Sequence, residues 1–452
     1  MSNKPIENPH KRHYGFGYME SQTIALPAYV CILLITYLSL FILPCQANSK
    51  EETVILTLDE AIAIALRDNR EVLLNQEKLH QAKLEIEEAK SAFLPEINLN
   101  STAARSRGLY RKDITNYSFQ AGMKQYLYRG GKSVNTLKQA RDEENVQAAV
   151  FDRAISDVIL RVKGAFFAIS LAKEFTRLNK TIFENAREHF ETASSRYKKG
   201  EAAESDLLKA QYSVTSSQSL YEESIHQQES TEALLKNILY LEENAAVEIK
   251  GDFDYTQREV AIDQAILKAL KMRPEIREYE SRINADKASV EIAKAGNRPD
   301  IYASFDYYSR STTSLTFSPS KGWQDYNLAG FTLSWPIFDG WATKYKVEEA
   351  INNLRQSQII QAQGRADIAT QVKESYLSLK SAISKLKPQE EKSKVYADNL
   401  KVTQERYKEG IASELDLKDA GLALLISQFN QKQAGYDYLL AEAKLDNAMG
   451  AR

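Results

Sequence analysis

Two aspartates lie three positions apart just after a turn between two helical segments. Asp416 and Asp419 follow the sequence GIASELD at 410–416, and their spacing places both carboxylates on one face of a helix. In a single chain they would form a solvated acidic patch that also suits the positive end of a helix. In a ring of identical chains they would become stacked carboxylate rings. Two carboxylates about 6 Å apart repel by about 3 kcal/mol at an effective dielectric near 20. We therefore expect such rings to favour cations and to raise at least one carboxyl pKa.

Residue types that could support catalysis or bind a metal are scattered elsewhere in the chain. The five histidines are at positions 10, 13, 80, 189 and 226, and the two cysteines are Cys31 and Cys45. The sequence contains no nucleophile elbow, phosphate-binding loop or Cys/His cluster. We therefore predict that the protein is not an enzyme and has no cofactor and no metal site. The net charge of −2 gives no reason to expect nucleic acid as a partner.

Two turns in the chain share the pattern RYKxG. Residues 196–200 read RYKKG and residues 406–410 read RYKEG, and we expect both glycines to adopt the left-handed conformation that ends a helix. Several residues after each glycine are small or apolar, which suits a partner surface better than water. The residues of interest at these two tips are Gly200, Glu201, Ala202, Ala203, Ser205, Asp206, Gly410, Ile411, Ala412, Ser413 and Leu415.

Each tip joins two unusually long helical segments. Residues 132–199 contain one glycine and no proline, which allows about 100 Å of helix at ~1.5 Å per residue. The next segment, 205–241, is predicted to pack against it. The second half repeats the arrangement with helices at 343–408 and 413–449, and we expect a kink at Pro388. The packing prediction rests on a seam with apolar spacings of three and four, formed by Phe183, Ala186, Phe190, Ala193 and Tyr197.

Two predicted hairpins, at 96–128 and 300–336, lie between the helices. Apolar residues occupy alternate positions in each strand, for example Ile301, Ala303 and Phe305. Strands of about ten residues with one apolar and one polar face are typical of lipid-crossing strands. An ordinary half-buried hairpin of a soluble domain is the alternative.

Aromatic residues near the strand ends favour the membrane interpretation. Four strands cannot close a barrel, and an open sheet edge is not tolerated in lipid. We therefore expect a homotrimer, in which twelve strands close a barrel and the long helices form a twelve-helix tube. The candidate membrane-interface aromatics are Tyr126, Tyr128, Trp335, Phe338 and Trp341.

The same order of segments occurs twice along the chain. Residues 58–72 align with 262–276 at an offset of 204, and the two RYKxG turns align at an offset of 210. The offset changes only between Pro95 and Tyr128, as expected for a surface loop. We therefore divide the chain into a first repeat at 48–257 and a second at 258–452. Each contains a helix, a β-hairpin, a long helix and a second helix. A further stretch at 247–255, called the equatorial segment below, follows these elements in the first repeat.

The first 47 residues have the features of a cleaved export signal. Lys11 and Arg12 precede the 14-residue apolar run Val30–Leu43, and Ala47 ends a sequence that an export peptidase would read. A retained membrane anchor and a lipidated Cys45 are the alternatives. Cleavage after Ala47 would leave no cysteine in the mature chain.

Taken in order, these motifs resemble the TolC-like outer-membrane factors. The resemblance covers residues 55–452 and is carried by LTLDEAIAIALRDNREV, LPEI, YLYRGGK, WPIFDGW and the two RYKxG turns. It implies a mixed α+β membrane protein, in which a trimeric 12-stranded outer-membrane β-barrel continues into a 12-helix periplasmic α-barrel. It also implies location in the cell outer membrane, in contact with outer-membrane lipid.

The resemblance further implies partners and residue roles. The tips would dock onto a periplasmic membrane-fusion adaptor protein, which joins an inner-membrane pump of the resistance-nodulation type or an ABC transporter. Asp416 and Asp419 match the pore constriction, and Tyr407 and Asp206 match gate contacts. The expected function is the exit duct of a tripartite efflux pump or a type I secretion system. A structural trimeric stalk or adhesin is the alternative, but it has no use for a duplicated unit or for tip turns.

Overall fold

The computed structural model describes residues 54–109, 112–242, 245, 247–250, 255–312 and 322–451. The predicted export signal lies outside these residues. The first half contains β1 (Val54–Leu56), α1 (Leu58–Asp68), α2 (Arg70–Ser91), β2 (Glu96–Leu109), β3 (Lys112–Arg129), α3 (Lys132–Lys198) and α4 (Glu204–Leu239). β4 (Val247–Ile249) ends the first half, and the second half contains α5 (Ile262–Met272), α6 (Pro274–Lys294), β5 (Asp300–Ser311), β6 (Trp323–Ser334), α7 (Ala342–Lys408) and α8 (Glu414–Ala448).

The segment before each hairpin is two helices, where we expected one. Asn69 separates α1 from α2 with φ −67° and ψ 122°, and Arg273 separates α5 from α6 with φ −63° and ψ 135°. The Asn69 side chain accepts a hydrogen bond from the Glu71 N–H and so caps α2, while Pro274 occupies the first turn of α6. Both are ordinary helix-start signals, and the residue before a proline avoids the helical region.

The long helices follow the predicted bounds closely. α3 and α7 each contain 67 residues, and α7 continues through Pro388 without a break in its helical assignment. The predicted packing of α3 on α4 is confirmed, with the rings of Phe183 and Tyr221 stacked at 6.1 Å. α3 also packs against α1, α2, α6 and α8, whereas the partners of α7 in this chain are α5, α6 and α8.

The two hairpins form one antiparallel sheet in the order β2-β3-β5-β6, which leaves β2 and β6 as its edges. The register places Met123, Phe305 and Ala329 side by side on one face, and Lys124 and Ser304 on the other. A bulge interrupts the pairing of β3 with β5 between Tyr126 and Tyr128. The predicted alternation of apolar and polar faces is therefore present, but it changes sides at the end of β3.

Two apolar cores fix the helices to one another. The first joins β1, α1, α3, α4 and β4 around Val162 and Leu235, and the second joins α5, α7 and α8 around Val372 and Leu445. β1 and β4 pair in parallel as a small separate sheet. The equatorial segment that we predicted after α4 contains β4, and part of that segment lies outside the described residues. Among the described residues, none of the helices combines the length and hydropathy needed to cross a membrane.

Candidate functional site

Both tips end a long helix in the same way. Gly200 has φ +76° and Gly410 has φ +71°, which confirms the predicted left-handed conformation. At the first tip the Gly200 N–H donates to the Tyr197 carbonyl at 2.9 Å, and the Glu201 N–H donates to the Arg196 carbonyl at 2.9 Å. The second tip has the same pair of bonds, from Gly410 to Tyr407 and from Ile411 to Arg406. These bonds satisfy carbonyls that have no partner within the helix, and they reverse the chain.

The two tips differ at the start of the returning helix. α4 begins after Ala203, whose side chain supplies no capping hydrogen bond. α8 begins after Ser413, which forms a capping box with Asp416. The Ser413 N–H and Oγ donate to Asp416 Oδ2 at 2.8 and 2.7 Å, and the Asp416 N–H donates to Ser413 Oγ at 3.2 Å. The other predicted docking residues of the second tip, Ile411, Ala412 and Leu415, follow Gly410 or lie in the first turn of α8.

Asp416 therefore has a structural partner that the sequence reasoning missed. The Ser413 N–H and then the Ser413 hydroxyl hold the pKa of the exposed Asp416 carboxyl below its usual value. We expected crowding to raise at least one carboxyl pKa at this place, and for Asp416 in the single chain the direction is the opposite. The physical reason is local, because donors to the ionised form stabilise it. The signal was readable, since serine followed three positions later by an acidic residue is a helix-start pattern.

Lys418 is a second residue that the sequence reasoning missed. It lies between Asp416 and Asp419, and its Nζ is 2.7 Å from Glu188 Oε1 on α3 and 3.1 Å from Glu414 Oε1 on α8. The contact with Glu188 raises the pKa of the Lys418 ammonium. This cation ties α8 of the second half to α3 of the first half one turn from the tip.

The structure does not bring the two predicted gate residues together within one chain. Tyr407 is exposed near the end of α7, and Asp206 is exposed in the first turn of α4. In the described part of the chain, α7 and α4 are not packed together. A contact between Tyr407 and Asp206 would therefore need two chains.

A cleft of about 670 Å³ lies between α3 and α8, well away from the tip. Leu178 and Phe429 line it, and the ion pair of Lys432 with Glu174 lies on its wall at 2.9 Å. The part of the chain that the structure describes contains no group of three or more histidine, cysteine or acidic side chains that could hold a metal ion.

The predicted interface aromatics separate into two groups. Trp335, Phe338 and Trp341 are exposed just after the C-terminal end of β6. Trp335 Nε1 donates to the Asn297 carbonyl at 3.2 Å. The rings of Phe338 and Trp341 meet edge to face at 5.7 Å.

Tyr126 and Tyr128, by contrast, lie on opposite faces of the sheet. Tyr128 pairs with Ile301 on the apolar face. Tyr126 lies on the polar face, where Lys124 Nζ is 4.5 Å from its ring centroid. The bulge between the two tyrosines causes this difference, so Tyr126 does not share the environment that we expected for an interface aromatic.

Comparisons with known proteins show which proteins this chain is similar to. The family model for outer membrane efflux proteins matches residues 61–239 and 265–451. The alkaline protease secretion protein AprF of Pseudomonas aeruginosa is 22% identical over 435 residues, which cover 87% of this chain and 85% of that protein. The outer membrane protein TolC of Vibrio cholerae is 23% identical over 399 residues, which cover 85% of this chain and 88% of that protein.

The solved structures agree at the level of the fold. The CmeC outer membrane channel of Campylobacter jejuni superposes with a TM-score of 0.76 over 87% of this chain and 85% of that one, at 16% identity. The family consists of outer-membrane channels that transport without catalysis, so the expectation that this protein is not an enzyme is confirmed. The two matched spans, the long helices and the four-stranded sheet lead to one assignment: the chain belongs to the outer membrane efflux protein family.

Proposed function

We propose that this protein is the exit duct of a tripartite efflux pump or a type I secretion system, with transport powered by an inner-membrane partner. The observation that carries the proposal is the open sheet. In the described part of the chain, no strand pairs with the outer side of β2 or of β6, and the sheet leads directly into helices of 67 residues. A sheet in lipid must close, and here it can close only with other chains.

The same argument supports a homotrimer in the outer membrane. Three copies would give a 12-stranded barrel above a 12-helix tube that extends into the periplasm, and the two halves of each chain would be duplicated units within it. The observed strands have 14, 18, 12 and 12 residues, which is enough for tilted strands to cross an apolar band about 25 Å tall. The tips would then face a periplasmic adaptor protein at the end opposite the membrane.

The constriction and the gate belong to this assembled form. Asp416 and Asp419 would form two acidic rings near the tip, and Tyr407 would contact Asp206 of the neighbouring chain. The absence of packing between α7 and α4 among the described residues of one chain supports an arrangement in which these helices meet across a chain boundary.

Conduction distinguishes a duct from a stalk. We expect the purified full-length chain to open water-filled channels when it is reconstituted into planar lipid bilayers. A trimeric stalk anchored by a small barrel would assemble without conducting. A trimer that inserts into the bilayer but carries no current would therefore contradict the duct and support the stalk.

The name of one relative, an alkaline protease secretion protein, favours protein export as the first cargo to test. Disruption of the gene should leave the exported protein inside the cell if the duct serves secretion. It should instead increase susceptibility to toxic small molecules if the duct serves efflux. Complementation with the intact chain is the control for both measurements.

A further inference from the structure

The contacts between the two halves of this chain provide a template for the contacts between chains. α3 has neighbours on both sides, because α2 and α4 come from its own half and α6 and α8 come from the other half. α7 has its own α6 and α8 but no counterpart of the second pair. Under the proposed trimer, α2 and α4 of the next chain would supply that pair.

The sequence offsets make this template exact enough to use residue by residue. With an offset of 210, the buried residues Val158 and Val162 of α3 correspond to the buried residues Ile368 and Val372 of α7. With an offset of 204, Glu71 of α2 corresponds to Glu275 of α6. Each observed contact of α3 with α6 or α8 therefore names an equivalent pair between α7 and the next chain.

In the half of α3 nearer the sheet, two polar contacts within the chain correspond to apolar residues of α2. A third contact, Arg282 with Glu143, corresponds to Lys78 and Asn353 and so stays polar. Within the chain, Arg277 binds Asp152 at 2.7 Å and Glu278 binds Arg153 at 3.1 Å. The residues equivalent to Arg277 and Glu278 are Leu73 and Leu74, which are 42% and 56% exposed in the single chain.

The facing surface of α7 also lacks the charged residues that α3 has at this level. The residues equivalent to Asp152 and Arg153 are Ala362 and Gln363. Ile359 of α7 is 68% exposed, whereas the equivalent Ala149 of α3 is 1% exposed. In one chain this part of α7 is therefore exposed where the equivalent part of α3 is buried, and the exposed surface includes the apolar side chain of Ile359.

About two thirds of the way along α3 towards the tip, apolar contacts within the chain correspond to polar residues between chains. Within the chain, Phe175 and Phe429 meet at 5.3 Å, and Leu178 is buried beside them. The equivalent residues between chains are Lys385 for Phe175, Ser219 for Phe429 and Pro388 for Leu178.

Two further residues of α8 that pack within the chain also correspond to polar residues of α4. Tyr436 and Leu439 of α8 pack against the core of the first half, and their equivalents in α4 are His226 and Glu229. At the tip end the contact of Lys418 with Glu188 corresponds to Leu208 and Asp398, so an apolar residue takes the place of the cation and an acidic residue is kept.

We propose that neighbouring copies of this chain adhere where Leu73 and Leu74 of one chain meet Ile359 of the next, at the adhesive end of their shared seam, and leave a hydrated window between this end and the tip. Ser219 and Glu222 of one chain and Ser384 and Pro388 of the next would line the window. The inference rests on the trimer proposed above. Its physical basis is that apolar surface drives association, whereas serine, lysine and glutamate keep their water unless each finds a partner.

Cysteine labelling in the assembled protein tests the window. Pro388→Cys and Leu178→Cys are a matched pair, since they occupy equivalent positions in the two kinds of seam. We expect a water-soluble maleimide to label Pro388→Cys at least about tenfold faster than Leu178→Cys in the trimer, because reaction requires an exposed thiolate. The parent chain, which contains Cys31 and Cys45 before any cleavage, supplies the background rate.

Dissociation of the assembly tests the adhesive end. Leu73→Ser/Leu74→Ser should raise the dissociation constant of the trimer at least about tenfold, because two apolar contacts are lost at every seam. The control Ser219→Ala, in the window, should leave the constant within about twofold.

The outcomes separate this inference from the proposed function. A parent chain that is monomeric by mass would contradict the trimer itself. If the parent chain is trimeric and the maleimide labels Pro388→Cys as slowly as Leu178→Cys, the proposed window would be overturned. A trimeric parent whose stability is unaffected by the change at Leu73 and Leu74 would overturn the adhesive end.

Discussion

Arg273 and Glu275 form an ion pair whose side chains are 9% and 11% exposed. Arg273 donates to both carboxylate oxygens of Glu275, at 3.1 and 2.6 Å, and to Gln371 Oε1 at 2.7 Å. In the first half, the equivalent of Glu275 is Glu71, and its cation is Arg161 at the place of Gln371. The two halves therefore neutralise equivalent carboxylates from different helices.

This difference gives a prediction with an internal control. Arg273→Ala should lower the free energy of unfolding by about 3–5 kcal/mol, because it leaves a buried carboxylate without its cation. Arg161→Ala should lower it by less than about 1 kcal/mol, because the side chains of Arg161 and Glu71 are about half exposed. Chemical denaturation of the two variants would measure both values, and equal losses would contradict the role assigned to burial.

The carboxylates near the second tip give a prediction about conduction. Asp416→Ala/Asp419→Ala should raise conductance, reduce cation preference and remove block by multivalent cations added from the periplasmic side. Measurements of reversal potential in planar bilayers would show the change, with Asp59→Ala as a control far from the tip. An unchanged reversal potential and unchanged block would place the constriction at another residue, such as Tyr407.

The pH dependence of this selectivity follows from the cap. The pKa of Asp416 is lowered in the folded chain, so its carboxylate stays charged at a pH where an ordinary aspartate begins to protonate. By the same linkage, the cap contributes stability above the ordinary pKa and loses it as the pH falls through the lowered one. Ser413→Ala removes the hydroxyl donor and keeps the backbone N–H donor, so it should shift the loss of selectivity part of the way to higher pH, which the same bilayer recordings would detect.

At the scale of elements, the tips are predicted to bind a partner without contributing to assembly. Ala203 is exposed and Ala412 is half-buried, and both lie between a long helix and the helix that returns from the tip. Ala203→Arg or Ala412→Arg should abolish export while the mass of the assembled protein stays the same. Export that survives both changes would mean that the tips are not the docking surface.

Close packing of α6 on α7 depends on one glycine. A Cβ at Gly364 would lie 2.4 Å from the Tyr279 ring, whereas a Cβ at Gly421 of α8 would have no neighbour within 4 Å. Gly364→Ala should therefore destabilise the chain by about 1–3 kcal/mol through overpacking. Gly421→Ala should stabilise it by up to about 1 kcal/mol, because alanine is the better helix former. Opposite shifts in the thermal unfolding of the two variants would confirm this, and shifts of the same sign would contradict it.

The sequence predicted the helices, tips and strands correctly where a single local pattern determined the structure. The lack of proline between Pro95 and Pro274 predicted α3, and the repeat of the first half predicted α7. The paired RYKxG turns predicted both tips, and the alternating residues predicted all four strands of the sheet. It was a poorer guide where two rules competed. At Asn69 the helical periodicity continued while the capping preference ended the helix, and the cap prevailed.

The candidate site could be predicted less completely than the fold. Asp416 and Asp419 were found from their spacing, but spacing does not show that the carboxylate of Asp416 folds back onto Ser413. Lys418 was missed because its partner Glu188 lies on a helix of the other half, and a single sequence does not show which distant residues meet. The position of Tyr126 depended on a bulge that the period-two pattern does not show.

At the scale of the whole molecule, the free edges of the sheet determine the assembly. Among the described residues, the pairs β2–β3, β3–β5 and β5–β6 account for the ladder in one chain, so under the proposed function the outer sides of β2 and β6 would pair with other chains. We expect mass measurement in detergent to give three chains. Two or four chains would leave a closed barrel possible but would contradict the trimer, and a monodisperse monomer would contradict the architecture.

Proline substitutions would show whether β6 is an edge in the assembled protein. The N–H groups of successive strand residues point in opposite directions, so one of Thr332 and Leu333 directs its N–H towards β5 and the other directs it away. Proline removes that donor and is tolerated in a strand only where the donor would face solvent. In a monomer, one of Thr332→Pro and Leu333→Pro should therefore fold like the parent. In the closed barrel each substitution breaks a ladder bond, and both variants should fail to assemble by mass measurement. If one of the two still formed the full assembly, β6 would not be paired with β2 of a neighbour at that position.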